Sequence, residues 1–291
     1  MTIRNVRLIQ SGKPTVEGAG VHLNRAFGFG MTNEFDPYLL LDDFRGDDPE
    51  LYQAGFPWHP HRGIETITYM LEGKAEHQDS LGNKGVIGPG DVQWMTAGSG
   101  IIHQEMPIGN ANGKMGGFQL WANLPSDQKM MNPRYREIKS TDIPEVQLPG
   151  GGRVLVIAGN VNGVTGPVDD IVIAPEYLDI RLPASAAFKH PTTSSHTVFC
   201  YVYSGSGNSV PEGTALAKNG GLVLFEVGDE IMVTAGAEGV QFLLISGEPL
   251  CEPVAWYGPI VMNTKDELNT AMRELRENSF IKFRGKLWDA R

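Results

Sequence analysis

Two pairs of ligand-type residues at alternate positions constrain this chain more than any other feature. His59 and His61 stand at i, i+2 in FPWHPHRG, and His103 and Glu105 repeat the spacing in GSGIIHQEMP. Alternate side chains of a β-strand project from one face, so His59 and His61 point one way and Pro60 the other. If the two segments face each other across a small barrel, three imidazoles and one carboxylate converge on a point. Such a donor set suits Fe, Mn, Ni, Cu or Zn, whereas Ca and Mg prefer all-oxygen shells. A lone His-x-His says little, because paired histidines on a strand are commonly surface or core residues. Two pairs joined by a turn-rich hairpin make a metal-centred β-barrel the reading. The stretch 56–106 holds four of the seven histidines. The fourth, His77 in KAEHQDS, reads as a packed histidine or one that supports the ligands.

The surrounding texture is that of many short strands. Thirty-six glycines and nineteen prolines are spread along the chain rather than clustered, which fits strands joined by turns. ETITYMLEG alternates β-branched and aromatic residues, and Pro89-Gly90-Asp91 turns the chain into a strand with Val92, Trp94 and Thr96 on one face. Tyr38 to Leu41 reads as a short buried strand, with Asp42 and Asp43 as turn and capping residues after it. Phe56, Trp58, Trp94, Met95, Phe118 and Gln119 flank the ligands and are candidate pocket walls.

A length of 291 residues allows two domains at about 100 to 150 residues each. The second half echoes the first: YVYSGSG parallels TYMLEGK, and EVGDEIMVTAG parallels GPGDVQWMTAG, a divergent internal repeat. The second copy departs at the decisive places, since His190 and His196 flank PTTSS and no His-x-Glu pair follows VGDE. A duplicated barrel whose second copy lost its metal is the simplest account. Polar, proline-punctuated sequence before Gly152 marks the connection. The expected organisation is 1–134 as the metal-binding barrel, 135–152 as linker, 153–262 as the second barrel, and 263–291 as helix and tail. The helix is announced by a capping box at Thr264 and Glu267, with Leu268, Met272 and Leu275 at helical spacing, and is expected to brace the pair of barrels. Lys282, Arg284, Lys286 and Arg291 beyond it read as solvated.

A formal net charge of −10 disfavours direct attraction to nucleic acid or anionic lipid. No apolar leader and no run of about 18 apolar residues is present, so neither a signal peptide nor a membrane span is expected and the cytoplasm is the default compartment. Cys200 and Cys251 sit in apolar stretches and read as buried thiols.

The blocks HPHRGIET, GPGDVQWMTAGSGIIHQEMP and GFQLWANLP, with FDPYLLLDDF upstream and GPIVMNT downstream, resemble the pirin family of the cupin superfamily across nearly the whole chain. The resemblance implies an all-β bicupin, two antiparallel β-barrels of jelly-roll type plus a short C-terminal helix. It also implies His59, His61, His103 and Glu105 as metal ligands. Cupins in general place their glutamate where Glu65 stands; the Arg62-Gly63 step is expected to break the register there, leaving Glu65 behind the ligands. Family likeness to quercetin 2,3-dioxygenases implies Fe(II) as the metal, with Zn, Mn, Ni or Cu as other choices, and a flavonol-like aromatic substrate together with O₂. Glu105 would then take the substrate's hydroxyl proton. The alternative that the family implies is an iron-dependent, redox-sensitive regulator binding a transcription factor or a metabolic enzyme.

Overall fold

The computed structural model describes residues 2–209 and 214–283. They divide into two units that do not follow the chain order: residues 14–140 with 251–291, and residues 1–13 with 141–250. The strands as far as residue 138 are β1 (Val6–Ser11), β2 (Lys13–Glu17), β3 (Val21–Phe27), β4 (Tyr38–Asp43), β5 (Phe56–His61), β6 (Ile64–Glu72), β7 (Lys74–Asp79), β8 (Lys84–Ile87), β9 (Val92–Thr96), β10 (Ile101–Ile108), β11 (Gly116–Asn123) and β12 (Arg134–Ile138).

In the unit built on 14–140, a seven-stranded sheet runs β12-β9-β6-β11-β4-β3-β2 and a four-stranded sheet runs β5-β10-β7-β8. Every pairing among them that is described is antiparallel. The alternation of ETITYMLEG puts β6 at the middle of the larger sheet, buried on both faces from Ile64 to Met70, because β-branched and aromatic side chains pack well on a pleated surface. The sheets form an open double-sheet jelly roll rather than closed barrels, so the all-β bicupin reading holds in its jelly-roll form.

The turn between β5 and β6 is made by Arg62 and Gly63. Gly63 has φ +78°, and a Cβ there would meet the Val261 carbonyl oxygen at 2.0 Å, so only glycine admits this approach of the C-terminal segment. Arg62 is almost fully buried. It donates to the carbonyls of Ser99 and Phe280, both at 2.8 Å, pairs with Glu274 at 2.8 Å and stacks on the Phe280 ring at 4.1 Å. Lys129, also buried, donates to the Gly63 and Val261 carbonyls and to Asn123. These two cations fasten residues 251–280 to the site-bearing sheets.

The other unit holds a nine-stranded sheet in which β1 pairs with Gly221–Phe225, which pairs with the long strand Thr197–Ser209, which in turn pairs with Glu230–Gly247. Its interior is an apolar cluster that includes Leu178, Ile180, Phe188, Val198, Val202, Phe242 and Leu244.

Several expectations change. The first thirteen residues join the second repeat, because β1 finds its hydrogen-bonding edge there. Residues 135–138 are not linker: they complete β12 on the edge of the seven-stranded sheet, while Glu145–Gln147 pairs with Arg153–Ala158 in the other unit. The helix Lys265–Arg276 carries the full capping box on Thr264 and Glu267, and the contacts that anchor it, Arg62 to Glu274 above all, lie within the unit of residues 14–140 and 251–291. Asp42 and Asp43 are buried strand residues; Arg25 clamps the first with two bonds and Arg45 the second. Cys200 is buried but Cys251 is exposed, on a turn where its φ is +56° and its N–H donates to Asp36 at 2.7 Å. Arg284, Lys286 and Arg291 lie outside the described residues. No described helix is long and apolar enough to cross a membrane.

Replacing Arg62 by alanine strands two buried carbonyls and removes the buried one of the two cations, Arg62 and Lys282, that pair with Glu274. We expect a loss of about 3 to 5 kcal/mol in urea-monitored unfolding, with early exposure of the C-terminal segment to proteolysis.

Candidate metal centre

Antiparallel pairing of β10 with β5 sets His103 opposite His59, and pairing of β10 with β7 sets Glu105 opposite His77 and His103 opposite Asp79. Directly opposed residues share a face, so both predicted pairs, together with His77, project to one side of the four-stranded sheet. The ligand atoms of His59, His61 and His103 lie within 4.8 Å of one another, and so do those of His77, His103 and Glu105. His103 belongs to both groups.

The imidazoles are oriented by backbone. His59 Nδ1 lies 2.9 Å from the Pro57 carbonyl and His61 Nδ1 lies 3.0 Å from that of Pro259. A carbonyl only accepts, so both rings carry their proton on Nδ1 and turn an unprotonated Nε2 inward. Those two nitrogens stand 3.1 Å apart. Two lone pairs at that distance repel unless a cation sits between them. Two nitrogens each about 2.1 Å from one ion and at right angles around it would show this separation. Both ring nitrogens of His103 are buried without a hydrogen-bond partner, which a protein ordinarily avoids. Burial, reinforced by the neighbouring histidines, pushes His61 and His103 well below the usual imidazole range. Neutral imidazole is the form that binds metal. The donor set therefore fits a divalent transition metal.

Above the histidines lies a cavity of about 700 Å³, inside the usual range for small-molecule sites. His59, His61 and Glu105 reach it from one sheet. Leu40, Asp42, Thr68, Gln119 and Trp121 reach it from the other, and Trp256 to Pro259 close one side. Arg25, Asp42, Gln119, Thr68 and Gln93 are register neighbours across β3, β4, β11, β6 and β9. They form a polar row on the inner face of the seven-stranded sheet. At its centre the Thr68 hydroxyl lies 2.7 Å from Gln119 Oε1 and 3.2 Å from Glu105 Oε1. At one end burial pushes the Asp42 carboxyl up while the Arg25 fork opposes it.

Glu65 has the opposite parity to Thr66 and Thr68 on β6 and projects from the far face. There it accepts from Trp94 Nε1 at 3.0 Å and Thr96 Oγ1 at 2.6 Å, with Arg134 at 3.8 Å. It touches none of the clustered histidines. Of the expected pocket walls, Phe56 and Gln119 line the cavity; Trp94 and Phe118 share the far face with Glu65, Met95 packs in the core beside Ile64 and Ile101, and Trp58 is half exposed. Sequence reasoning missed Pro259, which orients His61, and, Gln119 apart, the row from Arg25 to Thr68. The polar threonines Thr66 and Thr68 inside the IETITYM stretch were the available signal. Tyr135, assigned to a linker, stacks on His77 with ring centroids 4.8 Å apart.

A duplicated jelly roll with an imidazole cluster in one copy defines a bicupin with one candidate metal centre; among the described residues the unit of 141–250 has no such cluster. Residues 20–122 match the Pirin family and residues 177–281 match the Pirin C-terminal cupin domain. The chain is 39% identical to the human protein Pirin over 295 residues, which cover 99% of this chain and 98% of that one. The crystal structure of a quercetin 2,3-dioxygenase from Acinetobacter baumannii superposes with a TM-score of 0.87 at 30% identity, covering 96% of this chain and 98% of that one. That of the bacterial pirin YhhW from Escherichia coli in complex with nickel(II) superposes at 0.62 with 24% identity, covering 83% of this chain and all of that one. The chain belongs to the pirin family.

Parity on β6 gives a direct check. Glu65→Gln leaves a buried amide hydrogen facing Trp94 and Thr96, which costs about 1 to 3 kcal/mol. We expect lower stability in thermal unfolding with metal content unchanged after dialysis against one equivalent of the ion.

Proposed function

We propose that this chain is a metal-dependent dioxygenase that opens the heterocycle of flavonols such as quercetin with O₂ and releases carbon monoxide. In this reading His59, His61, His103 and Glu105 hold one divalent transition metal, Fe(II) first, with Zn, Mn, Ni or Cu compatible with the same donors. The observation that carries it is the pair of unprotonated Nε2 atoms 3.1 Å apart at the floor of an aromatic-walled cavity of about 700 Å³. The likeness to the A. baumannii quercetin 2,3-dioxygenase supports the substrate class, and the nickel in YhhW supports a metal-binding family. Bound iron supplies Lewis acidity toward a hydroxyl and one-electron access to O₂.

The chain's own residues do the rest. Phe56, Trp121 and Trp256 bury a planar ring system and keep water from it. Three imidazoles and one carboxylate would hold a divalent ion without filling its coordination, as catalytic sites require. Glu105 is the base that accepts the flavonol hydroxyl proton. The Thr68 hydroxyl carries a single proton. While it donates to Gln119 Oε1, Glu105 Oε1 is free to be protonated, and the same hydroxyl then accepts from the new carboxyl O–H. Arg25 and Asp42, paired with each other on the cavity wall, make a polar end of the cavity for hydroxyls on the far ring.

A second reading, a redox-sensitive regulator that binds a protein partner, is favoured by one feature. Phe29 and Tyr257 line the cavity yet are 78% and 63% exposed, an apolar rim that another protein could cover. Affinity capture with reduced and with oxidised iron-loaded protein tests it, and recovery of the same set in both states would sink it.

For the enzyme, anaerobically iron-loaded protein is expected to consume O₂ and release carbon monoxide when quercetin is added. Glu105→Gln should lower turnover at least ~100-fold and keep most of the metal. A fully metallated protein that takes up no O₂ with any flavonol would defeat this reading.

A further inference from the structure

His77 is the fourth imidazole of the cluster, and neither the pairing motif nor the proposed ligand set uses it. It is buried, on β7 directly opposite Glu105. One face stacks on Tyr135 at an interplanar angle of 24°. Its Nε2 lies 3.3 Å from Asp79 Oδ2. Asp79 is itself pinned: Leu81 N–H and Asn83 N–H donate to its Oδ1 at 2.9 and 3.0 Å, and the Asn83 amide donates to Oδ2 at 2.8 Å. A carboxylate accepts, so the His77 proton sits on Nε2 and its Nδ1 carries a lone pair. That Nδ1 is buried and has no partner.

The complement stands next to it. His103 is fully buried with both ring nitrogens unpartnered, and its ring centroid is 5.2 Å from that of His77. A metal at the His59, His61 and His103 cluster would use one His103 nitrogen through its lone pair. The proton must then sit on the other nitrogen, which needs an acceptor. Asp79, at the register position across from His103, already accepts from four donors counting His77. His77 Nδ1 is a buried acceptor without a partner, and the ligand atoms of His77 and His103 are within 4.8 Å.

We propose that His77 is a positioning residue: its Nδ1 accepts the His103 ring proton, directly or through one water, in a chain from Asp79 through His77 and His103 to the metal that fixes the His103 tautomer. The inference rests on the metal-centre reading of the same cluster. It gives the buried His77–Asp79 pair a task that core packing alone would not require. Carboxylate or carbonyl partners commonly orient ligating histidines in this manner, and their loss typically weakens metal binding 10–100-fold. Here the support is relayed through a second imidazole because the opposing residue, Asp79, is saturated by its own turn.

The test uses the full chain with Co(II), whose absorption bands report ligand number, and with Zn(II) for nitrogen NMR. His77→Phe keeps the ring stacked on Tyr135 but accepts no proton. It is expected to bind Co(II) about 10–100-fold more weakly with unchanged band positions and intensity. His77→Asn, whose Oδ1 stands where Nδ1 stood, should restore most of the affinity. Asp79→Asn, which turns an N–H toward His77 and reverses its tautomer, should weaken binding in the same direction and serves where the phenylalanine variant folds poorly. In ¹⁵N-labelled zinc-loaded wild type, His103 should show a single tautomer that becomes mixed in His77→Phe. Wild-type affinity and a single tautomer in that variant would overturn the proposal. A change of Co(II) band intensity showing a lost ligand would overturn it as well, since His77 would then bind the ion itself. No Co(II) uptake by the wild type would overturn both this inference and the metal-centre reading, which normal uptake with an unmoved variant would leave intact.

Discussion

Two imidazole nitrogens that point at each other across 3.1 Å, each with its other nitrogen spent on a carbonyl, form an arrangement fitted to a bound cation. Every larger feature of the unit can be followed back to it. Placing both rings on one strand requires the alternate spacing of β5; placing a third beside them requires the register of β10. Holding the His61 proton on Nδ1 requires the Pro259 carbonyl, 198 residues away in sequence. That carbonyl is held in place by the adjoining strand Ile260–Met262, whose approach depends on Gly63 and on the buried charges of Arg62 and Lys129. The cost of burying those two cations is offset by saturating them with carbonyl acceptors and one carboxylate. The centre is thus assembled from the middle of the chain and closed by its end.

Strand parity, rather than distance along the sequence, decides which of Glu65 and Glu105 faces the histidines. On β6 the even positions face the cavity and the odd positions face away. Glu65 therefore shares a face with Ile67 and Tyr69 and finds Trp94 and Thr96 there. Glu105 shares a face with His103 and reaches Thr68 across the interior. Because the inner face of the larger sheet carries a row of polar residues, the carboxylate meets hydroxyl and amide groups instead of hydrocarbon.

What the sequence made legible was whatever depends on local period. The two i, i+2 pairs, the buried core of β4, the Arg62-Gly63 break and the capping box at Thr264 and Glu267 are all set by residues within a few positions of one another, and each is found in the fold. What it hid depends on partners far along the chain. Asp42 looks like a turn residue until Arg25 is seen opposite it on β3. Tyr135 looks like linker until β12 pairs with β9. Cys251 looks buried because its neighbours are apolar, but the left-handed turn there carries it to the surface. The exchange of terminal segments between the two units leaves no local trace either, since strand propensity says nothing about which sheet edge a strand will join.

The unit of 1–13 and 141–250 shows that the scaffold alone does not make a site. It repeats the order of parts and builds a comparable sheet, yet its inward positions are Leu178, Ile180, Val198, Phe188, Phe242 and Leu244, which fill the interior with hydrocarbon. Its buried histidine, His190, faces Glu176 at 2.9 Å and stacks on Phe188, so its nitrogen is satisfied by a carboxylate and has no need of an ion. In the unit of residues 14–140 and 251–291 the corresponding requirement is reversed, because the clustered imidazoles are provided with too few acceptors and donors to satisfy one another. The difference between a packed core and a reactive centre on one fold is then whether the buried polar atoms close their hydrogen bonds among themselves. In this chain one copy does so, and the other leaves the nitrogens of His59, His61 and His103 open around a single point.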